Sequence, residues 1–204
     1  MWKIQEPFNQ FSDNDESALS DLCNKINKEG SIFCEIGCWL GHSTSIIANR
    51  AKFLNGRVIC IDTFNGSPGT ILENHVKNND VYNEFKKNMI DLGLDNYIDV
   101  FNMDSDNAVK FIDDNKIDFL FIDGNHIYEQ VKKDIYNYYP KVKDKGIISG
   151  HDYEIGFDLD INGFTSIDLS QDMSKGYHCG VIKAVNNIFP AFNIVGDRIW
   201  WLYK

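Results

Sequence analysis

Two short stretches bring together side chains able to handle protons and cations. Asp123-Gly124-Asn125-His126 ends an apolar run, and Gly150-His151-Asp152-Tyr153 ends another. If both runs are neighbouring strands of one sheet, Asp123 and Asp152 arrive at the same edge. Two such carboxylates can hold a hard cation such as magnesium, which prefers oxygen ligands and keeps several waters. A neutral imidazole at His126 or His151 could take a proton from a hydroxyl, with Asp123 beside it as the third member of a catalytic group. The plain alternative is that Asp123 and Asn125 cap the following helix and that both histidines are solvated or satisfied in the core.

Three further sites could hold a ligand. Glu35-Ile36-Gly37-Cys38-Trp39-Leu40-Gly41-His42-Ser43-Thr44 lies where a strand gives way to a helix, and its glycines permit close backbone approach. The spacing is not the dinucleotide fingerprint G-x-G-x-x-G, because Trp39 and His42 stand in place of its second and third glycines, and no Lys-Ser or Lys-Thr follows Gly41 to make a phosphate loop. What remains is E-x-G-x-x-x-G, a form seen in S-adenosylmethionine enzymes. Asp62, about 20 residues beyond that turn, ends the run Val58-Ile59-Cys60-Ile61 and could accept two hydrogen bonds from a ribose diol; its bland role is to bind local backbone amides. Asp104-Ser105 could meet an adenine amino group or could simply cap a helix. Glu35, Trp39, Ser43 and Thr63 adjoin these positions and are taken with Gly37, Gly41, Asp62, Asp104, Ser105 and Asp123 as the cofactor-binding set.

The elements that must position these residues are legible in the apolar pattern. Runs rich in β-branched and aromatic residues at Ser31 to Ile36, Arg57 to Ile61, Tyr97 to Asn102, Ile117 to Ile122 and Gly146 to Ser149 read as buried strands. Helix-length segments alternate with them: Glu16 to Lys28, Ser43 to Leu54, Val81 to Leu92, Asp106 to Asp114 and Tyr128 to Tyr139, with Val181 to Ile188 following later. That alternation predicts a parallel sheet with helices on both faces. Phe192 to Val195 and Ile199 to Tyr203, joined by Gly196-Asp197-Arg198, read as a closing hairpin. The expectation is a doubly wound, mostly parallel seven-stranded α/β sheet with a C-terminal antiparallel hairpin, forming one domain over residues 1–204. Residues 1–30 are its helical lead-in. Residues 153–176 form an acceptor-side loop, and with Asn65 to Asn79 they shape an acceptor pocket that includes Phe64, His75, Tyr153 and Phe157.

Composition narrows the partners. A formal charge of −10 disfavours phosphate backbones and anionic lipid, which need clustered Lys and Arg. No apolar run approaches the roughly 20 residues of a membrane span, and Met1-Trp2-Lys3-Ile4-Gln5-Glu6 has neither the basic start nor the apolar stretch of a signal peptide, so a cytoplasmic protein with a small-molecule partner is expected. The five cysteines are odd in number, lack a C-x-x-C pair and sit mostly in apolar runs, as free buried thiols do. Trp200 and Trp201 adjoin on the last strand, so one side chain faces outward by alternation. That leaves a homodimer open, although a packed sheet face is the commoner explanation.

Taken together, the motifs resemble a branch of the class I S-adenosylmethionine-dependent methyltransferases that modifies hydroxyls of sugars and antibiotics, the macrocin type within methyltransferase family 24. The resemblance rests on Phe121-Ile122-Asp123-Gly124-Asn125-His126-Ile127-Tyr128-Glu129, on Gly150-His151-Asp152-Tyr153, and on Gly180-Val181-Ile182-Lys183-Ala184-Val185, and it spans about Ile32 to Val185. It implies a Rossmann-like methyltransferase fold and O-methylation of a small molecule. Gly37 and Gly41 would face the amino acid part of S-adenosylmethionine, Asp62 its ribose, and Asp104 with Ser105 its adenine, while Asp123 and Asp152 match two metal ligands for magnesium or a similar divalent cation. The chain departs from the metal-dependent pattern at Tyr153, where those enzymes carry Asn or Asp. It departs again at Asn125, where macrocin-type enzymes place an acidic residue, which leaves His126 or His151 as the base. The competing readings are a nicotinamide-dependent oxidoreductase on a similar fold, disfavoured by the missing glycine fingerprint, and a cofactor-binding protein without chemistry.

Overall fold

The computed structural model describes residues 11–67, 70–154 and 167–204. Seven strands form one sheet: β1 (Ile32–Ile36), β2 (Arg57–Asp62), β3 (Ile98–Asn102), β4 (Ile117–Ile122), β5 (Val142–Gly150), β6 (Asn193–Val195) and β7 (Ile199–Tyr203). Their order is β3-β2-β1-β4-β5-β7-β6. The first five are parallel, and β7 runs antiparallel to both β5 and β6. The helices are α1 (Asp13–Asn24), α2 (His42–Phe53), α3 (Ile71–Val76), α4 (Val81–Asp91), α5 (Ser105–Ala108), α6 (Tyr128–Tyr138) and α7 (Cys179–Ile188).

The two faces of the sheet follow from strand alternation. Phe33 of β1 with Phe119 and Phe121 of β4 join one core with Leu19, Ile47, Phe85 and Met89 from α1, α2 and α4. Cys34, Ile36, Leu120, Ile122 and Ile148 point the other way and pack with Ala108, Val131, Ile135 and Val181 from α5, α6 and α7. β4 is buried along its whole length because it lies under helices on both faces. Reversal of strand order between β1 and β4 opens a crevice at their carboxyl ends, where ligands of open α/β sheets bind.

Four elements differ from expectation. α1 runs over Asp13–Asn24 rather than Glu16 to Lys28, because the Ser12 hydroxyl caps it by accepting from the Asp15 amide. The segment Asn65 to Asn79 contains α3, capped by the Thr70 hydroxyl, which accepts from the Leu72 amide. α5 is a single turn followed by a 3₁₀ turn at Val109–Phe111. β5 extends back to Val142, four residues before the predicted start at Gly146, because it continues the pairing with β4 through a register shift. Of the hairpin tryptophans, Trp200 is buried in the second core, and Trp201 is half-buried on the opposite face with the Lys25 ammonium over its ring. The pair is therefore consumed by two-sided packing. All five cysteines are free and buried. No helix among the described residues is long and apolar enough to cross a membrane.

Candidate functional site

The ladder of the sheet continues one residue past the strand ends, and this sets the site. Gly37 N–H donates to Ile61 O (2.8 Å), Asp123 N–H to Ile36 O (2.7 Å) and His151 N–H to Ile122 O (3.1 Å). Residues 37, 123 and 151 therefore stand side by side at the crevice. Gly37 has φ +87°, and a Cβ there would lie 2.0 Å from the Asp123 carbonyl oxygen. Gly41 has φ +97°, and its Cβ would meet Met89 Cε at 2.4 Å. The space the glycines free is thus filled by the protein's own backbone and side chains, so these residues shape the turn rather than leave it open.

Asp62 clamps that turn. Its Oδ2 accepts from the amides of Cys38 (2.7 Å) and Trp39 (2.8 Å), and its Oδ1 from the amide of Phe64 (2.7 Å). Burial pushes this carboxyl up, against the pull of those backbone bonds. An oxygen of a carboxylate takes about two hydrogen bonds, so Oδ1 keeps room for one donor and Oδ2 for none. Thr63 is half-buried beside it.

Glu35 lies beneath the turn, fully buried, where the hydroxyls of Ser43 (2.5 Å) and Thr44 donate to it. It and Ser43 therefore tie β1 to the start of α2 and do not face the crevice. Burial raises the Glu35 carboxyl to about 8, opposed by those two hydroxyls. Because its folded pKa lies above the ordinary 4.5, the protein should lose stability as pH rises through that window. Glu35→Gln should remove the loss: its unfolding free energy in urea relative to the native chain is expected to improve from pH 5 to pH 8 by on the order of 3 kcal/mol. A constant difference between the two chains across this range would mean that Glu35 is ionised throughout.

Asp104 is exposed and caps α5 by accepting from the Asn107 amide at 2.8 Å. Ser105 is buried and donates to Asp134 at 2.6 Å, linking α5 to α6. Asn125 Oδ1 accepts from the Ile127 amide at 2.8 Å, a local turn bond. Of the expected acceptor wall, Phe64 is buried against Tyr82 and Phe85. Tyr153 turns toward Phe192 and donates to Asn186 Oδ1 at 2.9 Å. His75 on α3 faces the Trp39 ring at 5.6 Å, and Phe157 lies outside the described residues.

The structure does converge Asp123, His126, His151 and Asp152. Asp152, at φ +60°, lies 3.1 Å from His126 Nε2, 3.3 Å from His151 Nδ1 and 2.9 Å from Arg198 Nη1. Asp123 Oδ1 lies 3.9 Å from His126 Nε2 and 3.7 Å from His151 Nδ1. Burial disfavours protonation of His151, yet the charges of Asp152 and Asp123 and the bond to Asp15 raise it to about 10. Burial acts the same way on His126, where Asp152, Asp123 and Asp172 outweigh it and hold the imidazole well above its ordinary value. Both imidazoles are thus held between carboxylates, and the Asp123 carboxylate stands beside them at the crevice.

Four residues at this cluster have no counterpart in the sequence motifs. Asp15 of α1 meets His151 Nε2 at 3.3 Å, Asp172 meets His126 Nδ1 at 2.9 Å, and His178 lies 3.3 Å from Asp152 and 2.8 Å from Glu154. His178 adjoins Cys179-Gly180, and Gly180 packs so closely on residues 126–128 that a Cβ would lie 2.1 Å from His126 O. That glycine was the one available sign that the segment before α7 returns to the site.

Residues 34–153 match the family described as a methyltransferase domain. An uncharacterized protein of Acanthamoeba polyphaga mimivirus, R132, is 32% identical over 141 residues, which are 67% of this chain and 58% of that protein. The chain spans less than two thirds of the curated relatives it matches. Among solved structures, the O-methyltransferase from Bacillus cereus in complex with SAH aligns with TM-score 0.65 at 17% identity, covering 97% of this chain and 84% of that one. The cofactor-bound protein Rv0187 from MTB aligns with TM-score 0.66 at 15% identity, covering 96% and 81%. Likenesses at such identity speak for the fold alone. With the family match extending over more than half its length, from β1 to the first residues after β5, the chain belongs to the methyltransferase-domain family.

Proposed function

We propose that this protein transfers the methyl group of S-adenosylmethionine to a hydroxyl of a small molecule, a sugar or a natural product. The observation that carries the reading is the convergence, at the crevice between β1 and β4, of the clamped glycine turn with the Asp123, His151 and Asp152 strand ends. The cofactor's ribose lies against Asp62, whose Oδ1 has room for one hydroxyl, with Thr63 beside it. Its amino acid part lies along the turn from Gly37 through Trp39 to Gly41, and its adenine toward Asp104 and Ser105. The cofactor-bound Rv0187 and the SAH complex of the Bacillus cereus O-methyltransferase, which have this fold, support binding of such a cofactor.

The sulfonium supplies an activated methyl, so the work left to the chain is alignment, exclusion of water and removal of the hydroxyl proton. Asp123 stands where it can take that proton, flanked by His126 and His151. The residues present also fit a divalent cation: Asp123, His151 and Asp152 offer ligand atoms within 4.8 Å of one another, while Tyr153 is engaged by Asn186. Such an ion would lower the pKa of a hydroxyl bound beside it.

Calorimetric titration with S-adenosylhomocysteine tests the cofactor half. Micromolar binding is expected, weakened at least tenfold by Asp62→Ala, with no heat from NADH. Silence at millimolar S-adenosylhomocysteine, or equal binding of NADH, would reject the reading.

A further inference from the structure

Beside the Asp123–His151–Asp152 group lies a second one that shares only Asp152: His126, Asp152 and His178, whose ligand atoms also fall within 4.8 Å of one another. We propose that these three side chains form an imidazole-rich site for a transition-metal dication of the zinc, cobalt or manganese kind, distinct from the oxygen-rich site that magnesium would occupy. The proposal extends the cation part of the methyltransferase reading, but its two imidazoles, His126 and His178, are not in the other group.

The geometry points this way on three counts. His126 Nε2 lies 3.1 Å from Asp152 Oδ2, and His178 Nδ1 lies 3.3 Å from Asp152 Oδ1. Ligand atoms bound to one ion at about 2.1 Å stand about 3.0–3.4 Å apart in octahedral or tetrahedral arrangements, and each imidazole stands at that spacing from a carboxylate oxygen of Asp152. Next, buried His126 Nε2 faces Asp152 and Asp123 as an ion-pair partner but at angles that make no hydrogen bond, and Glu154 Oε2, buried beside His178, has none either. Orphaned polar atoms of this kind are costly unless something else engages them, and two in one cluster indicate a missing partner. Finally, one outer contact matches those that orient metal-binding histidines: Asp172 binds His126 at Nδ1 (2.9 Å), which leaves Nε2 directed inward. Glu154 lies 2.8 Å from the same His178 Nδ1 that faces Asp152 and so brings a further carboxylate to the site.

Charge and ligand type select the ion. Asp15, Asp123, Asp152, Asp172 and Glu154 converge here, and among the described residues the fixed cation at hydrogen-bond distance is Arg198, 2.9 Å from Asp152. A dication relieves that excess. Two imidazoles with one carboxylate suit zinc, cobalt or manganese, whereas magnesium keeps oxygen ligands and water. The site also joins the β5 end to the segment carrying Asp172 and His178, so the ion would fix that segment over the crevice.

The test is a Co²⁺ titration of the chelator-stripped full-length chain, followed by visible d–d absorption. One equivalent should bind at micromolar concentration, be displaced stoichiometrically by Zn²⁺, and resist a thousandfold excess of Mg²⁺. His178→Ala and, separately, His126→Gln should each weaken Co²⁺ binding at least tenfold, while Asp123→Asn should change it less than threefold. Circular dichroism identifies any variant that has not folded, and the other then decides. No spectrum at 10 μM Co²⁺, displacement by equimolar Mg²⁺, or full affinity in a folded His178 or His126 variant would overturn the site. Titrating S-adenosylhomocysteine into the same metal-free protein separates the two readings: binding there without a cobalt site removes this inference alone, and a cobalt site without nucleoside binding removes the methyltransferase reading alone.

Discussion

Gly37→Ala is expected to cost about 3 kcal/mol or more of stability, a large share of the roughly 5–15 kcal/mol that holds a domain folded. Two penalties add. An L-residue at φ +87° sits in the left-handed region, at about 1–2 kcal/mol. The new Cβ would also stand 2.0 Å from the Asp123 carbonyl oxygen and 2.7 Å from Gly124 Cα, both backbone atoms that cannot swing aside. Relief requires β1 and β4 to part at their carboxyl ends, which moves Asp123 off the crevice. Gly41→Ala has a comparable φ, but the atom nearest its Cβ is Met89 Cε, the end of a flexible chain, so it should be the milder of the two. Urea midpoints of both variants check this. If Gly37→Ala costs under about 1 kcal/mol, or no more than Gly41→Ala, the turn is not wedged against β4.

The same pair of residues shows what the sequence could and could not disclose. Spacing placed the turn correctly between β1 and α2, because glycines at a strand-to-helix junction have few other uses. It could not say what fills the space they free, and that space belongs to Asp123 and Met89. Glu35 was similarly ambiguous. Alternation in β1 puts it on the face of Phe33, under α2, and only the packed structure shows its carboxyl engaged by Ser43 and Thr44. Strands were readable because parallel strands covered on both faces are continuous apolar runs with sharp polar ends. α3 was missed although Thr70 and Glu73 have the spacing of a capping box, since the segment offers few apolar residues to bury. The carboxylates and imidazole that complete the cluster come from positions 15, 154, 172 and 178, on segments far apart in sequence, and local pattern carries no information about such meetings.

Asp15 shows how far such a residue can matter. It is 0% exposed, and its carboxylate joins the start of the described chain both to the β6–β7 turn and to the site. Its Oδ1 accepts from the amides of Asp197 (2.8 Å) and Arg198 (3.1 Å) in the β6–β7 turn. Its Oδ2 accepts from the Ser12 hydroxyl (2.9 Å) and meets His151 Nε2 (3.3 Å). Phe11 stacks on the other side of that imidazole, with ring centroids 4.5 Å apart. Asp15→Ala would leave two amides of the half-exposed β6–β7 turn and the buried His151 imidazole without their carboxylate, and breaking a buried charged pair by removing one partner costs about 3–5 kcal/mol. Asp15→Asn keeps an oxygen for the amides and loses the charge facing His151, so it should recover roughly half of that loss. The two variants therefore separate anchoring of the hairpin from positioning of the imidazole. Denaturant midpoints read the first, and the ring proton resonances of His151 read the second. If Asp15→Ala shifts stability by less than about 1 kcal/mol, as a surface carboxylate would, α1 is an appendage rather than a wall of the site.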